Sequence, residues 1–220
     1  MEKVLGIYGA GGLGREVLEL ARLINLTHRR WKDIVFIVDA PREFSVDGSV
    51  VHGYDVAKER FAEGLEVVLG VGEPSVRERL FDKVRRDAIP TPTLVHPQVH
   101  IPDSASLGRG VVVQFGCFVS VGVEVKDNVL LQPMCAIGHD CVLGEGCVIS
   151  SFDSIAGGAK VGYGSYIGMG ASVMEKVSIG DYCIIGMGSV VFKDIPDEMI
   201  AMGNPARPLR KNEERHVFKH

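Results

Sequence analysis

The 220-residue sequence lacks several features that would place it in a specialised class of protein. It has no run of eighteen apolar residues, which predicts that the chain does not span a membrane. Its start, MEKVLGIYGAGG, lacks the charged, apolar and small-residue order of a signal peptide. The formal net charge is only −4, which argues against nucleic acid or an anionic membrane as the main partner. These absences favour an ordinary globular protein.

Cysteine is scarce, and its spacing does not indicate metal binding. The five cysteines are an odd number, and no two of them form a CxxC pair. Disulfide frameworks use even numbers and zinc sites use closely spaced pairs, so the sequence predicts neither. We therefore expect a reduced, cytoplasmic protein that holds no metal.

An internal repeat extends across the second half of the chain. A branched aliphatic residue recurs at every sixth position without an insertion or a slip. These positions are Val95, Ile101, Leu107, Val113, Val119, Val125, Leu131, Ile137, Leu143, Ile149, Ile155, Val161, Ile167, Val173, Ile179, Ile185 and Val191. A six-residue period is typical of a parallel β-helix, in which three hexads make one triangular coil and residues 18 apart stack on one another.

A second position in the repeat, four residues after each aliphatic, is mostly small or Val. All five cysteines occupy it: Cys117, Cys135, Cys141, Cys147 and Cys183. Because a free thiol is a compact apolar group, we expect these cysteines to fill a narrow interior rather than to react. Asp153 occupies the same position between Cys135 and Ala171, where an unpaired carboxylate would be costly. We expect a buried hydrogen bond or a protonated carboxyl group there.

The first ninety residues follow a different pattern, in which apolar β-branched runs alternate with amphipathic segments. The predicted strands are 4–9, 33–39, 65–71 and 91–95, and the predicted helices are 14–24, 56–64 and 73–88. This order is typical of a small parallel sheet of Rossmann type, and the Pro-rich segment 89–93 marks a boundary. We therefore predict an α/β half-Rossmann domain over residues 1–90 and an all-β parallel β-helix domain over residues 91–220.

A glycine-rich loop, GAGGLGRE, follows the first predicted strand. Gly9, Gly11 and Gly14 fit GxGxxG, and Gly12 lies among them before a predicted helix. Backbone N–H groups at a helix N-terminus bind phosphate, and an acidic residue at the end of the second strand, here Asp39, often contacts a ribose or a base. Ninety residues make about one mononucleotide-binding half, so a nucleoside diphosphate fits better than a dinucleotide. An NAD-dependent reductase, or a tight turn that binds nothing, remains an alternative.

A His-Asp pair lies within the repeat, in CAIGHDCVLGEG. His139 and Asp140 follow the inward residue Ile137 and fall on a corner of the coil, where side chains point outward. A neutral imidazole accepts a proton near pH 6.5, and a neighbouring carboxylate can set its tautomer. This combination fits the general base of an acyl transfer, whereas the alternative is a surface histidine beside a solvated aspartate.

The 18-residue stacking adds neighbours to this pair. Gly157 and Gly158 fall directly above it, and their exposed backbone could donate an N–H to a developing oxyanion. Lys176 and Lys193 fall further along the same edge, where they could meet the phosphates of a long ligand. Lysines that are merely solvated are the alternative.

The sequence resembles one known family. The hexads, GHDCVLGEG, ISSFDSIAGGAKVG, the closing GNPAR and the GAGGLG half-Rossmann region resemble the NeuD/PglD-type sugar acetyltransferases of the left-handed β-helix superfamily, over residues 1–210. The resemblance implies a left-handed coil and a homotrimer. It also implies acetyl-CoA bound in grooves between adjacent β-helices and a nucleotide-linked sugar held by the N-terminal domain.

The resemblance extends to individual positions. His139 matches the family's catalytic base and Asp140 its acidic neighbour, which is often Glu. Gly157 matches the position whose backbone N–H meets the acetyl carbonyl, and Gln132 falls where several relatives have Asn. The implied mechanism is direct transfer, in which the histidine takes a proton from a sugar amine or hydroxyl as it attacks the thioester.

Three positions depart from the pattern of relatives that act on UDP-amino sugars. The glycine loop has Leu13 where they often have His, and the strand-end aspartate is followed by Ala40 where they often have a second acidic residue. Nine residues past the base, the chain has Val148 where some have a second His. These departures leave the nucleotide and the sugar open.

We therefore expect an acetyl-CoA-dependent acetyltransferase that acts on an amino sugar, with the 4-amino group of a nucleotide-linked sugar favoured, in surface-glycan biosynthesis. The nearest alternative is O-acetylation of a sugar or of sialic acid. A non-catalytic β-helix scaffold, or a metal site like that of γ-carbonic anhydrases, is disfavoured, because His96, His100 and His139 share no stacking column.

Overall fold

The computed structural model describes residues 2–41 and 44–218. The N-terminal part contains β1 (Val4–Tyr8), α1 (Gly12–His28), β2 (Asp33–Val38), β3 (Ser45–Val46), β4 (Ser49–Gly53), α2 (Tyr54–Arg60), β5 (Leu65–Leu69) and α3 (Pro74–Arg86). Its strand order is β3-β4-β2-β1-β5, in which β3 alone runs antiparallel to its neighbour. We call this part the α/β unit.

The predicted helices and strands of the α/β unit are present, with one correction. Segment 91–95 is not a fourth strand of this sheet, because Leu94–Val95 pairs in parallel with Val112–Val113 of the first complete coil. The fourth parallel strand is β4, which has few apolar residues and forms a hairpin with β3 that sequence periodicity did not predict. Pairing with a neighbour, rather than local pattern, decides strand membership here.

Short strands of the β-helix follow one another at six-residue intervals. They are β6 (Leu94–Val95), β7 (Ser106–Leu107), β8 (Val112–Val113), β9 (Phe118–Val119), β10 (Glu124–Val125), β11 (Leu130–Leu131), β12 (Ala136–Ile137), β13 (Val142–Leu143), β14 (Val148–Ile149), β15 (Ser154–Ile155), β16 (Lys160–Val161), β17 (Tyr166–Ile167), β18 (Ser172–Val173), β19 (Ser178–Ile179), β20 (Ile184–Ile185) and β21 (Val190–Val191). A final hairpin, β22 (Met199–Gly203) and β23 (Ala206–Lys211), extends one of the sheets.

The β-helix has three flat sheets, which we number as faces. Face 1 contains β6, β8, β11, β14, β17, β20, β22 and β23; face 2 contains β9, β12, β15, β18 and β21; and face 3 contains β7, β10, β13, β16 and β19. The corner between two consecutive faces is named by both numbers. From β6 to β21, each strand pairs with a strand 18 residues away, as in Leu131 with Ile149, so the predicted stacking period is confirmed.

The inward positions form the core of the β-helix. From Val113 to Val191, every sixth residue is buried, and all five cysteines are buried free thiols in the predicted interior position. Corners turn through left-handed backbone conformations, which is why glycine recurs there. The register ends after Val191, because Ile179 pairs with Ile195 rather than with a residue 18 positions further on.

The α/β unit packs on the outward side of face 1. Leu94, Val112, Leu130 and Val148 share one apolar cluster with residues of α1 and of the α/β sheet. A fully buried arginine of α3, Arg77, also joins the two parts. Its guanidinium donates to the carbonyl and side-chain oxygens of Asn128 (2.6 and 2.8 Å) and to the carbonyl of Val71 (2.9 Å). Burial lowers the pKa of Arg77 to about 10.

Candidate active site

The His-Asp pair lies on corner 2–3, between β12 and β13, as predicted. Asp140 adopts a left-handed conformation (φ 58°) and its backbone N–H donates to the carbonyl of Val121 in the previous coil. The Asp140 carboxylate lies over Gly122, where an added Cβ would come within 2.4 Å of its Oδ1. The side chains of His139 and Asp140 are 65% and 72% exposed, so a ligand can reach both.

The two side chains contact each other directly. The distance between His139 Nδ1 and Asp140 Oδ2 is 2.8 Å. An ionised carboxylate only accepts hydrogen bonds, so Nδ1 carries the proton and Nε2 has a free lone pair. The pair therefore has the arrangement that a general base requires, in which an oriented imidazole presents an unprotonated nitrogen.

The imidazole lies against the backbone of the coil above it. A Cβ added at Gly157 would come within 2.4 Å of His139 Nε2, so the ring occupies the space that any other residue would fill. A Cβ added at Gly138 would come within 2.6 Å of the Gly157 nitrogen. Within residues 2–41 and 44–218, the Gly157 N–H donates no backbone hydrogen bond. Two glycines thus leave an N–H accessible beside the ring.

The other predicted acetyl-CoA contacts, Gly158, Lys176 and Lys193, lie on the same corner as Gly157. Gly158 N–H donates to the carbonyl of His139 (2.7 Å), and Lys176 N–H donates to the carbonyl of Gly157 (3.0 Å). The Lys176 side chain extends over Gly158. Lys193 follows β21 on this corner, in a turn that is two residues shorter than in the preceding coils, because Ile195 pairs with Ile179.

The glycine loop divides into a structural half and an open half. A Cβ at Gly14 would lie 2.0 Å from the carbonyl oxygen of Gly9, which itself has φ 117°, so both positions require glycine. Gly11 and Gly12 begin α1, and an added Cβ at either would meet nothing within 4 Å. The first turn of α1 contains no acidic residue and no side-chain cap, so its N–H groups are available to an anion.

Asp39 lies at the end of β2 and is held by three side chains. Tyr8 and Lys83 both donate hydrogen bonds to its Oδ1, and Arg79 lies 3.8 Å from its Oδ2. The hydrogen bond from Tyr8, together with that from Lys83, lowers the pKa of Asp39. The carboxylate is half exposed at the carboxyl end of the sheet, where parallel α/β sheets bind ligands.

The structure does not bring the two candidate sites together within one chain. The glycine loop belongs to the α/β unit on face 1, whereas His139 lies on corner 2–3, which is opposite face 1 in a triangular coil. Gln132 lies on corner 1–2 and stacks above Gln114, whose amide is 3.4 Å from Glu16 of α1. It is therefore placed near the α/β unit and not near the His-Asp pair.

The structure also shows where the three positions that depart from the family pattern lie. Val148 is fully buried where face 1 meets the α/β unit, away from His139 of the same chain. Leu13 packs beside that junction, and Ala40 is exposed next to Asp39.

The sequence analysis missed several residues around these sites. Gly122 and Gly138 pack against the His-Asp pair and Gly157, and the 18-residue period was the signal that could have identified Gly122. Tyr8 and Lys83 hold Asp39 across 31 and 44 residues of sequence, and no local pattern indicated them. Within the described ranges, no group of three or more His, Cys, Asp or Glu side chains is placed to hold a metal ion, and no helix is long and apolar enough to cross a membrane.

Comparison with protein families gives two matches. The family described as the PglD N-terminal domain matches residues 4–84, and the bacterial transferase hexapeptide family (six repeats) matches residues 158–193. A curated protein of Schizosaccharomyces pombe that is named as an acetyltransferase is 52% identical over 41 residues, which is 19% of this chain and 20% of that protein. The chain thus spans about a fifth of the length of the curated relatives it matches.

Solved structures match over almost the whole chain. The acetyltransferase domain of PglB from Neisseria gonorrhoeae FA1090 is 32% identical, with a TM-score of 0.88 over 94% of this chain and 100% of that one. The same domain has been solved with acetyl coenzyme A. PerB from Caulobacter crescentus, solved with CoA and GDP-perosamine, is 29% identical, with a TM-score of 0.86 over 96% of this chain and 98% of that one. The predicted fold class, an α/β N-terminal part followed by a left-handed parallel β-helix, is confirmed.

Proposed function

Because this chain belongs to the NeuD/PglD-type acetyltransferases of the left-handed β-helix superfamily, we propose that it transfers the acetyl group of acetyl-CoA to the 4-amino group of a nucleotide-linked sugar. The observation that carries the proposal is the His139–Asp140 pair, with its free Nε2 beside the accessible N–H of Gly157. The binding of acetyl-CoA by the PglB domain, and of CoA with GDP-perosamine by PerB, supports the two substrates.

The reaction proceeds by direct attack. The sugar amine attacks the thioester carbonyl carbon while His139 Nε2 accepts a proton from the amine, and Asp140 stabilises the resulting imidazolium. A C–N bond forms and the C–S bond breaks as the tetrahedral intermediate collapses, and the imidazolium returns the proton to the departing CoA sulfur. The Gly157 N–H donates to the oxyanion of that intermediate. No covalent enzyme intermediate is needed.

We assign the remaining contacts by their position. Lys176, and with it Lys193, binds phosphates of CoA, and Gly158 shapes the groove beside them. The open loop at Gly11 and Gly12, shaped by Gly9 and Gly14, binds the nucleotide diphosphate, with Asp39 and Gln132 beside the rest of the acceptor. In this proposal, residues 1–90 form the domain that binds the acceptor, and residues 91–220 form the domain that transfers the acetyl group.

The active enzyme is a homotrimer in this proposal. A sugar anchored on the glycine loop cannot meet His139 of the same chain across the β-helix, so it must meet His139 of the partner subunit. Large apolar side chains are exposed along corner 1–2 and the adjoining edge of face 2: Phe115, Phe118, Met134, Phe152, Met169 and Met187. A stripe of this kind marks a protein interface. Phe152 and Met134 also adopt left-handed backbone conformations, which are costly for bulky residues.

The cellular role is inferred from chemistry. A nucleotide-linked sugar is an activated glycosyl donor, so its N-acetylated form serves glycan assembly, as in surface polysaccharides. Free buried cysteines are compatible with a reducing cytoplasm, where we place the enzyme.

The first experiment is a thiol-release assay with acetyl-CoA against UDP-, GDP- and dTDP-linked 4-amino sugars and free sialic acid. We expect CoA release with one nucleotide amino sugar. Turnover with sialic acid alone would instead establish O-acetylation and contradict the role given to the glycine loop.

In the same assay, His139→Ala is expected to lower kcat by about a thousandfold, because the general base is lost. Asp140→Asn should cause a smaller loss, and the exposed His100→Ala should cause none. Because His139 is 65% exposed, the melting temperature and subunit composition should not change. Near-full turnover by His139→Ala would remove the His-Asp pair from the mechanism.

A further inference from the structure

The C-terminal tail, residues 212–218, folds back from β23 onto the α/β unit. Asn212 is buried, and its amide donates to the carbonyl of Tyr182 (2.7 Å). The Arg215 guanidinium lies 3.6 Å from the centre of the Tyr182 ring and forms an ion pair with Glu198. The tail is therefore anchored along the β-helix before it reaches its last described residues.

Glu73 forms the second anchor of the tail. This residue precedes α3 and is only 6% exposed. Its carboxylate accepts hydrogen bonds from the backbone N–H groups of Val217 (3.0 and 3.2 Å) and Phe218 (3.1 Å). Within the described ranges, these are the hydrogen bonds that the carboxylate accepts. A buried carboxylate without partners is strongly unfavourable, so the Glu73 side chain and the tail stabilise each other.

This anchoring places the Phe218 ring beside the glycine loop. A Cβ added at Gly72 would lie 3.7 Å from Cδ2 of Leu13 and 3.7 Å from Cε2 of Phe218, so both side chains approach the same glycine. Tyr166 contacts the Phe218 ring edge to face, with centroids 5.7 Å apart. We call Leu13, Gly72, Tyr166 and Phe218 the apolar shelf. Phe218 is 44% exposed, so part of its ring faces outward.

The apolar shelf adjoins the open half of the glycine loop. Leu13 directly follows Gly12 at the start of α1, and Gly72 follows the end of β5, so both lie at the carboxyl end of the parallel sheet. Small-molecule sites combine a few polar groups with apolar and aromatic walls. The N–H groups of α1 supply the polar part here, and the shelf supplies an apolar wall next to it.

We propose that the C-terminal tail is part of the acceptor site, and that Phe218 is a binding residue against which the nucleotide-linked sugar packs. This inference rests on the proposed function. It predicts that tail docking and acceptor binding favour each other, because the docked tail completes the wall that the acceptor contacts. Acetyl-CoA, which the proposed function places at corner 2–3, should be indifferent to the tail.

The test compares Phe218→Ala, Phe218→Leu and wild type by calorimetry, using the nucleotide 4-amino sugar of highest turnover in the panel, and acetyl-CoA separately. Phe218→Ala should raise the Kd and KM of the nucleotide sugar about tenfold, as expected for loss of one aromatic contact, and leave those of acetyl-CoA unchanged. Phe218→Leu should recover most of the affinity. The exposed Phe44→Ala is the matched control and should bind like wild type.

A second measurement does not depend on a substitution at Phe218. Amide hydrogen exchange at Val217 and Phe218 should slow when the nucleotide sugar is added and not when acetyl-CoA is added. Glu73→Gln should accelerate this exchange and weaken nucleotide-sugar binding together.

The outcomes separate this inference from the proposed function. If wild type acetylates a nucleotide sugar and Phe218→Ala binds it within twofold of wild type, the tail has no part in the acceptor site. If wild type binds no nucleotide sugar of the panel, the proposed acceptor is wrong and the role of the tail falls with it. Equal weakening of acetyl-CoA binding would show that Phe218 only supports the fold.

Discussion

At the scale of single residues, the candidate site depends on three glycines, which leave space for neighbouring groups because they have no side chain. Gly157 leaves room for the His139 ring, Gly138 leaves the Gly157 N–H uncovered, and Gly122 leaves room for the Asp140 carboxylate. Side chains held between coils that are only 18 residues apart in sequence need these gaps, since stacked corners otherwise place side chain on side chain. The requirement for glycine is steric at Gly138 and Gly157, whereas Gly122 also has a left-handed backbone conformation (φ 67°).

Asp153 is unusual because it is a carboxylic acid in the interior of the β-helix. It is buried in the interior column between Cys135 and Ala171, and its Oδ1 accepts a hydrogen bond from the Ala171 N–H (2.8 Å). Within residues 2–41 and 44–218, its Oδ2 has no partner. Burial raises the pKa of Asp153 from its ordinary value of 3.8 to about 8. The carboxyl group is therefore protonated at neutral pH in the folded protein, which agrees with one of the two expectations from sequence.

The buried carboxyl group makes stability depend on pH. Because the pKa of Asp153 is raised in the folded state, the folded state binds more protons than the unfolded state between pH 3.8 and about 8. The contribution of Asp153 to the free energy of unfolding is therefore complete below that range and is lost as pH rises through it. We expect Asp153→Asn to have a larger free energy of unfolding than wild type at pH 8. The difference between the two free energies should narrow by about 1 kcal/mol per pH unit towards pH 5.

Denaturant unfolding at several pH values measures this gap, and the exposed Asp103→Asn is the control. A gap that stays constant from pH 5 to pH 8 would mean that Asp153 is ionised when folded.

At the scale of elements, the start of α1 combines rigidity with openness. Gly9 and Gly14 bring the loop and the helix into close contact, so their substitution would disturb the fold itself. Gly11 has an ordinary φ of −79° and open space around its Cβ position, so a larger side chain there fits the free protein. Gly11 is therefore the position at which ligand binding can be tested without unfolding.

We expect Gly11→Val to raise the Kd of the nucleotide sugar by at least tenfold, because the added methyl groups occupy the space in front of the α1 N–H groups. The Kd of acetyl-CoA and the melting temperature should stay at wild-type values. Ala62→Val adds two methyl groups at an exposed turn before β5, at the opposite end of the sheet, and serves as the control. Calorimetric titration with each substrate measures the two Kd values. Equal weakening of nucleotide-sugar and acetyl-CoA binding would contradict the separation of the two sites.

At the scale of the whole molecule, the two candidate sites lie on opposite sides of one β-helix. The α/β unit covers face 1, and the His-Asp pair lies on corner 2–3. In the proposed mechanism, an acetyl transfer that uses both sites crosses between subunits, so assembly is part of catalysis. The exposed apolar side chains on corner 1–2 are the contact surface that we propose for this assembly.

Mixed trimers test this arrangement directly. Gly11→Val subunits have an intact His139, and His139→Ala subunits have an intact loop. At a nucleotide-sugar concentration well below the wild-type KM, each homotrimer should therefore have at most about a tenth of wild-type activity. A shared site is intact wherever the loop of one variant faces the histidine of the other, which occurs once in every mixed trimer of threefold symmetry. We expect purified mixed trimers, carrying two different affinity tags, to show about one third of wild-type activity.

Mixed trimers as inactive as the parents would place the loop and the histidine of one reaction in the same subunit. Wild-type subunits carrying the same two tags control for the effect of the tags.

The sequence by itself determined the β-helix, its 18-residue coil, the interior position of the five cysteines and the corner position of His139 and Asp140. These follow from a local rule, because a six-residue period sets which side chains point inward and which residues stack. Tertiary structure alone decided which side chains contact Asp39, namely Tyr8 and Lys83, and that the tail returns to Glu73. Such contacts join residues tens to more than a hundred positions apart, and a repeat specifies position within a coil but not which surface another part of the chain covers.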